Sequence, residues 1–309
     1  MNIHLYTKFN LIFALYMIDH VPVMLDEVLD SVPQNSKIIV DGTLGHGWHT
    51  REILQKFWHV QKLYWFDLDP NILSETKERL SDFSNKIHFV QSSYTNISNV
   101  LWAIKADFVL LDLWVNMEHF KDWSRGFSIN YDSDLDMRFN DKQWMSAYDI
   151  LNQYSIDDLV RVFVDYAEFT EKKSKEIARE IIKYRAASKI KTTFELKNVL
   201  WKAGLWQKAS VVIFQAIRIE TNKEIDNLKL VLEQIPDILS DWWRCGIISF
   251  HSIEDRVVKF FFKKLSKQKW FSLVSKKAIK PHYKEVQKNR ASRSAKYRVI
   301  EKVIDNSEL

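Results

Sequence analysis

Lys37-Ile38-Ile39-Val40-Asp41-Gly42-Thr43-Leu44-Gly45-His46-Gly47 leads into Trp48-His49 and a helical pattern that runs to Phe57. Lys37 to Val40 is a short β-branched run of the kind that forms a buried strand, and Asp41 closes it. Three glycines in six residues then precede the helix. The order is strand, loop, helix, with the loop at the carboxyl end of the strand, the edge where open α/β sheets bind ligands. A nucleotide-like guest suits such a loop, because glycines let the backbone approach it and the helix offers N–H groups in its first turn.

The same alternation continues outward. Leu63-Tyr64-Trp65-Phe66 reads as a second strand closing on Asp67, and Pro70 opens a helix with apolar positions at helical spacing through Leu80. Ile87 to Val90 is a third strand, and Phe108 to Leu111 a fourth that closes on Asp112. Strands alternating with helices predict an α/β fold, a parallel sheet covered on both faces. From about Trp144 to Leu200 the pattern is helical only, including Ser174 to Tyr184 and Thr193 to Val199, which predicts a helical insertion. A helix from Phe214 to Ile235, a strand from Cys245 to Phe250 and a last strand near Ala295 to Val303 complete the pattern. The expected division is an N-terminal extension over 1–19, with translation from Met17 as an alternative start. The sheet domain follows over 20–140, the insertion over 141–212, and the second part of the sheet domain over 213–309.

Composition narrows the function. Of 309 residues, 46% are hydrophobic and 28% charged, which excludes intrinsic disorder. The single cysteine, Cys245, excludes a disulfide framework and a four-thiolate zinc site, and fits a reducing, cytoplasmic setting. The apolar run Phe9 to Ile18 is about half the length of a membrane span, so no membrane association is expected. From Arg256 to Arg298 fifteen Lys or Arg face one acid, Glu285. Such a basic arm on an acidic body suits a polyanionic partner.

Asp67, twenty residues beyond Gly47 at a strand end, stands where an acid accepts both hydrogen bonds of a ribose diol. Asp69, just before Pro70, is the better helix cap. Tyr94 follows the third strand and could cover an adenine ring. No lysine follows the glycine loop as in phosphate-binding loops, and no hydrolase elbow is present. His46, His49 and His251 lack standard ligand spacing, so no metal is expected. Ser249-Phe250-His251-Ser252 ends a strand at the same edge, and Glu254-Asp255-Arg256 follows. Ser252 as a helix cap, with Glu254 or Asp255 in the first turn, competes there with a catalytic reading.

Six ordered blocks resemble the signatures of the RsmH (MraW) methyltransferases. They are His20-Val21-Pro22-Val23-Met24-Leu25-Asp26-Glu27, Asp41 to His49, Arg125-Gly126-Phe127-Ser128, Leu135-Asp136-Met137-Arg138, Phe214-Gln215-Ala216-Ile217-Arg218-Ile219 and Ser249 to Arg256. The resemblance runs from about His20 to Arg298. It implies a class I (Rossmann-like) sheet with an inserted α-helical domain and S-adenosylmethionine as cofactor. The implied activity is N4-methylation of a cytidine in the decoding centre of small-subunit (16S) ribosomal RNA, free or in the assembled subunit. By position, the cofactor residues would be Gly47, Trp48, His49, Asp67, Tyr94, Asp112 and His119, the last standing where the family usually has Gln. An amine methyltransferase needs a group that accepts hydrogen bonds from the amine. Asp112 is the first candidate, with Ser249 and His251 second. Arg125 and Arg138 suit RNA phosphates, as do Lys276, Lys277, Lys280 and Lys284 of the arm.

The departures from the family are of one kind. The chain has 6 Gly and 12 Trp, where ordinary usage gives about 22 glycines. The family pattern has glycine at Trp48, Trp114, Trp242 and Trp243, and usually at Trp58 and Trp65. Random drift does not convert glycines to a single residue type, whereas UGA codons decoded as glycine in the source lineage and translated as tryptophan would. Two other functions fit the same residues: a non-catalytic RNA-binding assembly factor whose cofactor loop Trp48 plugs, and an amino-methyltransferase acting on DNA or protein.

Overall fold

The computed structural model describes residues 22–42, 45–113, 123–140 and 145–303. The 1–19 extension, Trp114 and His119 lie outside them. Seven strands form one sheet: β1 (Ile38–Asp41), β2 (Lys62–Asp67), β3 (Ile87–Gln91), β4 (Ala106–Asp112), β5 (Leu239–Ser249), β6 (Phe271–Leu273) and β7 (Lys296–Lys302). Their order is β3-β2-β1-β4-β5-β7-β6. The first five are parallel, and β7 runs antiparallel to both β5 and β6. This is the Rossmann-like class I arrangement, with two features the alternation did not predict: the last strand is reversed, and β6 was not foreseen. Phe271-Ser272-Leu273 is too short and too embedded in lysines to read as a strand.

Helices α1 (Leu25–Ser31), α2 (Trp48–Lys56), α3 (Pro70–Arg79) and α4 (Ile97–Leu101) belong to the first half of the sheet. Burial dictates the strands: all but the last residue of β4 is buried, as a central parallel strand requires. The core around them includes Val28, Ile39, Ile53, Leu63, Trp65, Phe108 and Tyr297. Trp65 lies within β2, fully buried against Phe89 at 5.7 Å between ring centroids.

The helical elements are α5 (Ala147–Gln153), α6 (Ile156–Ala167), α7 (Glu171–Ala187), α8 (Thr193–Lys202), α9 (Gln207–Asn222), α10 (Glu224–Ile238), α11 (Ser252–Leu265) and α12 (Tyr283–Lys288). Reciprocal capping boxes start α5, α6 and α8, in Ser146 with Asp149, Ser155 with Asp158 and Thr192 with Glu195. The expected helix from Phe214 to Ile235 is two helices, because Lys223 adopts left-handed backbone at φ 52° and ends α9. The chain divides into two compact units, one of described residues 22–113 and 231–303, the other 123–230. The helical unit thus extends beyond 141–212 at both ends. Its C-terminal limit moves because α9 contributes Ile213 and Ile217 to the helical core, and because Glu220 on α9 is held by Arg161 of α6 and by Tyr154, the residue that follows α5. Glu220, nearly inaccessible, accepts from Tyr154 Oη at 2.7 Å, Arg161 Nη2 at 3.0 Å and Lys223 Nζ at 2.7 Å. Burial alone would raise its carboxyl, but these donors hold it below the ordinary range.

Candidate active site

Chain order climbs outward from β1 to β2 and β3 and then jumps back to β4, so β1 and β4 flank the topological switch point, where doubly wound sheets open a crevice for ligands. The sheet unit gathers the predicted residues at that edge. Asp41, Asp67 and Asp112 end β1, β2 and β4, Tyr94 follows β3, and Ser249 ends β5. Asp112 pairs in register with Ile248, which puts Ser249 one residue further along the neighbouring strand.

Asp67 is the most informative of these. It is 2% exposed, its Oδ1 accepts from the Asp69 N–H at 2.8 Å, and its Oδ2 is buried with no partner among the described residues. Burial raises its carboxyl from 3.8 to about 7, against the opposing backbone hydrogen bond from Asp69. Asp69 accepts from Asn71 N at 2.8 Å and caps α3, so Asp67 is not needed for that task. A buried carboxylate oxygen without a donor is costly unless a ligand supplies one. The vicinal hydroxyls of a ribose fit that requirement, so the site is compatible with S-adenosylmethionine.

The loop glycines serve the protein's own packing as much as a ligand. Gly47 has φ 73°, and a Cβ there would stand 2.8 Å from both Leu80 Cδ1 and Thr76 Cγ2. A Cβ on Gly42 would meet Leu111 at 2.6 Å and Tyr94 at 3.3 Å, so Tyr94 is packed directly on the loop. Only Gly45 faces open space. The indole of Trp48 lies against the Arg79 guanidinium, 5.2 Å from the ring centroid, and its Nε1 is buried without a partner among the described residues.

His49, the second residue of α2, is buried. Its Nε2 lies 3.0 Å from the Val23 carbonyl and its Nδ1 3.6 Å from Asp112 Oδ2. The ring is thereby turned to protein groups. One residue on, Thr50 donates to Asp41 Oδ2 at 2.7 Å.

Ser249 and His251 have structural work in hand. Ser249 Oγ donates to the Lys296 carbonyl at 3.3 Å. His251, not Ser252, caps α11: its Nδ1 accepts from the Glu254 N–H at 3.3 Å, while Glu254 accepts from Phe250 N at 2.8 Å and His251 N at 3.3 Å. Asp255 pairs with Lys296 at 2.8 Å and Arg298 at 2.7 Å. Sequence reasoning missed this double pair, which only the antiparallel β7 brings to α11.

In the helical unit, Arg125 donates to the Arg138 carbonyl and lies over the Phe127 ring at 5.7 Å, while Arg138 pairs with Asp136. Both guanidiniums are thus engaged within the unit. Lys276, Lys277, Lys280 and Lys284 are exposed. No helix of the described residues is long and apolar enough to cross a membrane.

The family model that matches this chain is the MraW methylase family, over residues 17–303. Among curated relatives, the "Ribosomal RNA small subunit methyltransferase H" of Brachyspira hyodysenteriae is 40% identical, covering 92% of this chain and 97% of its own. Proteins of the same name from Clostridium botulinum (strain Loch Maree / Type A3) and Elusimicrobium minutum are 38% and 37% identical, covering 92% of this chain and 99% and 98% of theirs. With the family model matching residues 17–303 and relatives at 37–40% identity over 92% of its length, the chain belongs to the MraW methylase family.

Proposed function

We propose that this protein transfers a methyl group from S-adenosylmethionine to the N4 amine of a cytidine in the decoding centre of small-subunit ribosomal RNA, free or assembled. The single observation that carries the cofactor reading is the buried Oδ2 of Asp67, without a partner among the described residues, at the end of β2 next to β1. The relatives' names support the RNA substrate.

Bound S-adenosylmethionine supplies an electrophilic methyl group on a sulfonium. Asp67 would accept the ribose hydroxyls, Tyr94, packed on the loop, would border the adenine, and the first turn of α2 would face the cofactor with its N–H groups. The amine of cytosine is a poor nucleophile because its lone pair is delocalised into the ring. Asp112 would accept a hydrogen bond from it, favouring the pyramidal nitrogen that attacks. The target base must leave its stack to reach this edge. The arm lysines would neutralise RNA phosphates.

The test is methylation of unmodified small-subunit particles and of naked small-subunit RNA, followed by nucleoside mass spectrometry. N4-methylcytidine is the expected product. Methyl incorporation into DNA or protein in its place would refute the substrate assignment, and absence of cofactor binding would favour an assembly factor.

A further inference from the structure

The Val23 carbonyl can only accept a hydrogen bond, so the His49 nitrogen 3.0 Å away, Nε2, carries the hydrogen. In the neutral ring this leaves Nδ1 bare, and Nδ1 faces the Asp112 carboxylate at 3.6 Å. Two acceptors held face to face in a buried place repel unless a proton lies between them. Of the other elements at this point, β1 presents Asp41, engaged by Thr50, and α12 presents Glu285, which accepts from Met24 N at 2.8 Å. Among the described residues, the Asp112 carboxylate is the ionisable group set against Nδ1.

We propose that His49 and Asp112 form the proton acceptor of the methyl transfer, with His49 as a positioning residue acting through Asp112. The proposal rests on the amine reading above. As the nitrogen lone pair forms the N–CH3 bond, the S–CH3 electron pair returns to sulfur, and the positively charged nitrogen must lose a hydrogen. That proton passes to Asp112 and is shared with His49 Nδ1, which leaves an imidazolium beside a carboxylate and a neutral methylated amine.

His49→Gln keeps a donor for the Val23 carbonyl and removes the basic nitrogen. In the full-length protein it should leave the melting temperature close to the parent's. It should slow single-turnover methylation at saturating S-adenosylmethionine by about 100-fold or more. Independently of turnover, 15N spectra of the cofactor-free chain should show the Nε2–H tautomer of His49, with its Nδ1 signal moving in Asp112→Asn. A parental single-turnover rate in His49→Gln, or an Nδ1–H tautomer, would overturn the proposal. Failure of the amine reading would register separately, as a methyl group at another atom in the product of the unaltered enzyme.

Trp102 and Trp242 carry a second, independent inference. Trp102 has φ 51° and ψ −110°, a combination outside the left-handed helical region, while Met24, Glu168 and Lys223 sit inside that region with ψ of 38°, 27° and 34°. Trp242 has φ 70° within β5. Their side chains are 87% and 51% exposed, and Trp58, Trp201, Trp206 and Trp270 are exposed as well, although tryptophan is ordinarily well buried. A residue that takes glycine's backbone and gains no burial behaves as a glycine. We infer that positions 102 and 242 are glycine in the protein as its source cell makes it. Peptide mass spectrometry of the native protein should find glycine at both. Tryptophan at either would overturn the inference.

Discussion

At Asp67 one carboxyl group is set against both stability and binding. Its acidity, weakened by burial to about 7 from 3.8, means that the folded chain holds a proton over that interval which the unfolded chain has released. Stability contributed by this residue is therefore lost as pH rises from about 4 through 7, the reverse of a salt-bridged aspartate. Asp67→Asn should relieve the penalty: urea unfolding without cofactor should show no gain near pH 4 and a gain on the order of 2 kcal/mol above pH 7. A pH-independent difference would refute the buried charge. The same titration governs binding, because the ionised form accepts both ribose hydroxyls. Calorimetry of the parent should show S-adenosylmethionine affinity increasing with pH up to about 7 and levelling off above it. At Trp102 the backbone makes a comparable claim without chemistry. Trp102→Gly should stabilise the chain by about 1 to 3 kcal/mol, whereas Trp102→Ala, which keeps a Cβ in the same backbone conformation, should recover little of it. Equal melting temperatures for the two variants would show that the strain is absent.

Among the elements, β1, β2 and β4 were legible because a short apolar run ending in an aspartate has few other interpretations, and Asp67 and Asp112 end β2 and β4 as their neighbours predicted. The start of α3 was equally readable, since Asp69 stands just before Pro70 and caps it. The start of α11 was not, because histidine is an uncommon cap and Ser252 is a commoner one. Its Nδ1 replaces the usual oxygen, and Glu254 returns the bond to the backbone at Phe250 and His251. If capping is the whole role of His251, His251→Asn should keep melting temperature and single-turnover rate near the parent's. Glu254→Ala should destabilise by about 1 to 2 kcal/mol, since it strands two N–H donors. A loss of turnover by about 100-fold in His251→Asn with unchanged stability would return the residue to the chemistry. The break at Lys223 was equally hidden, for the apolar spacing runs through it and only a positive φ marks the end of α9.

On the scale of the whole molecule, the limits of the two units depend on packing that no local pattern reveals. Ile213 and Ile217 fall in the expected second part of the sheet domain, 213–309, yet both belong to the buried interior of the helical unit. The charge asymmetry, in contrast, was visible in the sequence, and the structure sorts it. Lys296 and Arg298 are taken up by Asp255, so these two cations neutralise an internal carboxylate, and their pairing holds that carboxyl below its ordinary range despite burial. Lys276, Lys277, Lys280 and Lys284 are exposed and lie between β6 and the end of α12. A polyanion would therefore be met by this segment and not by β7. Replacing the four lysines with alanine should weaken RNA binding and reduce the slope of log affinity against log salt by up to about 3, because each lost phosphate contact removes about 0.7 to 0.9. Lys296→Ala should instead lower stability, by leaving Asp255 with one partner, and leave the salt slope intact. Binding of a small-subunit RNA fragment across a salt series separates the two variants. An unchanged slope in the fourfold variant would make the segment an ordinary solvated surface and move the RNA contact elsewhere on the protein.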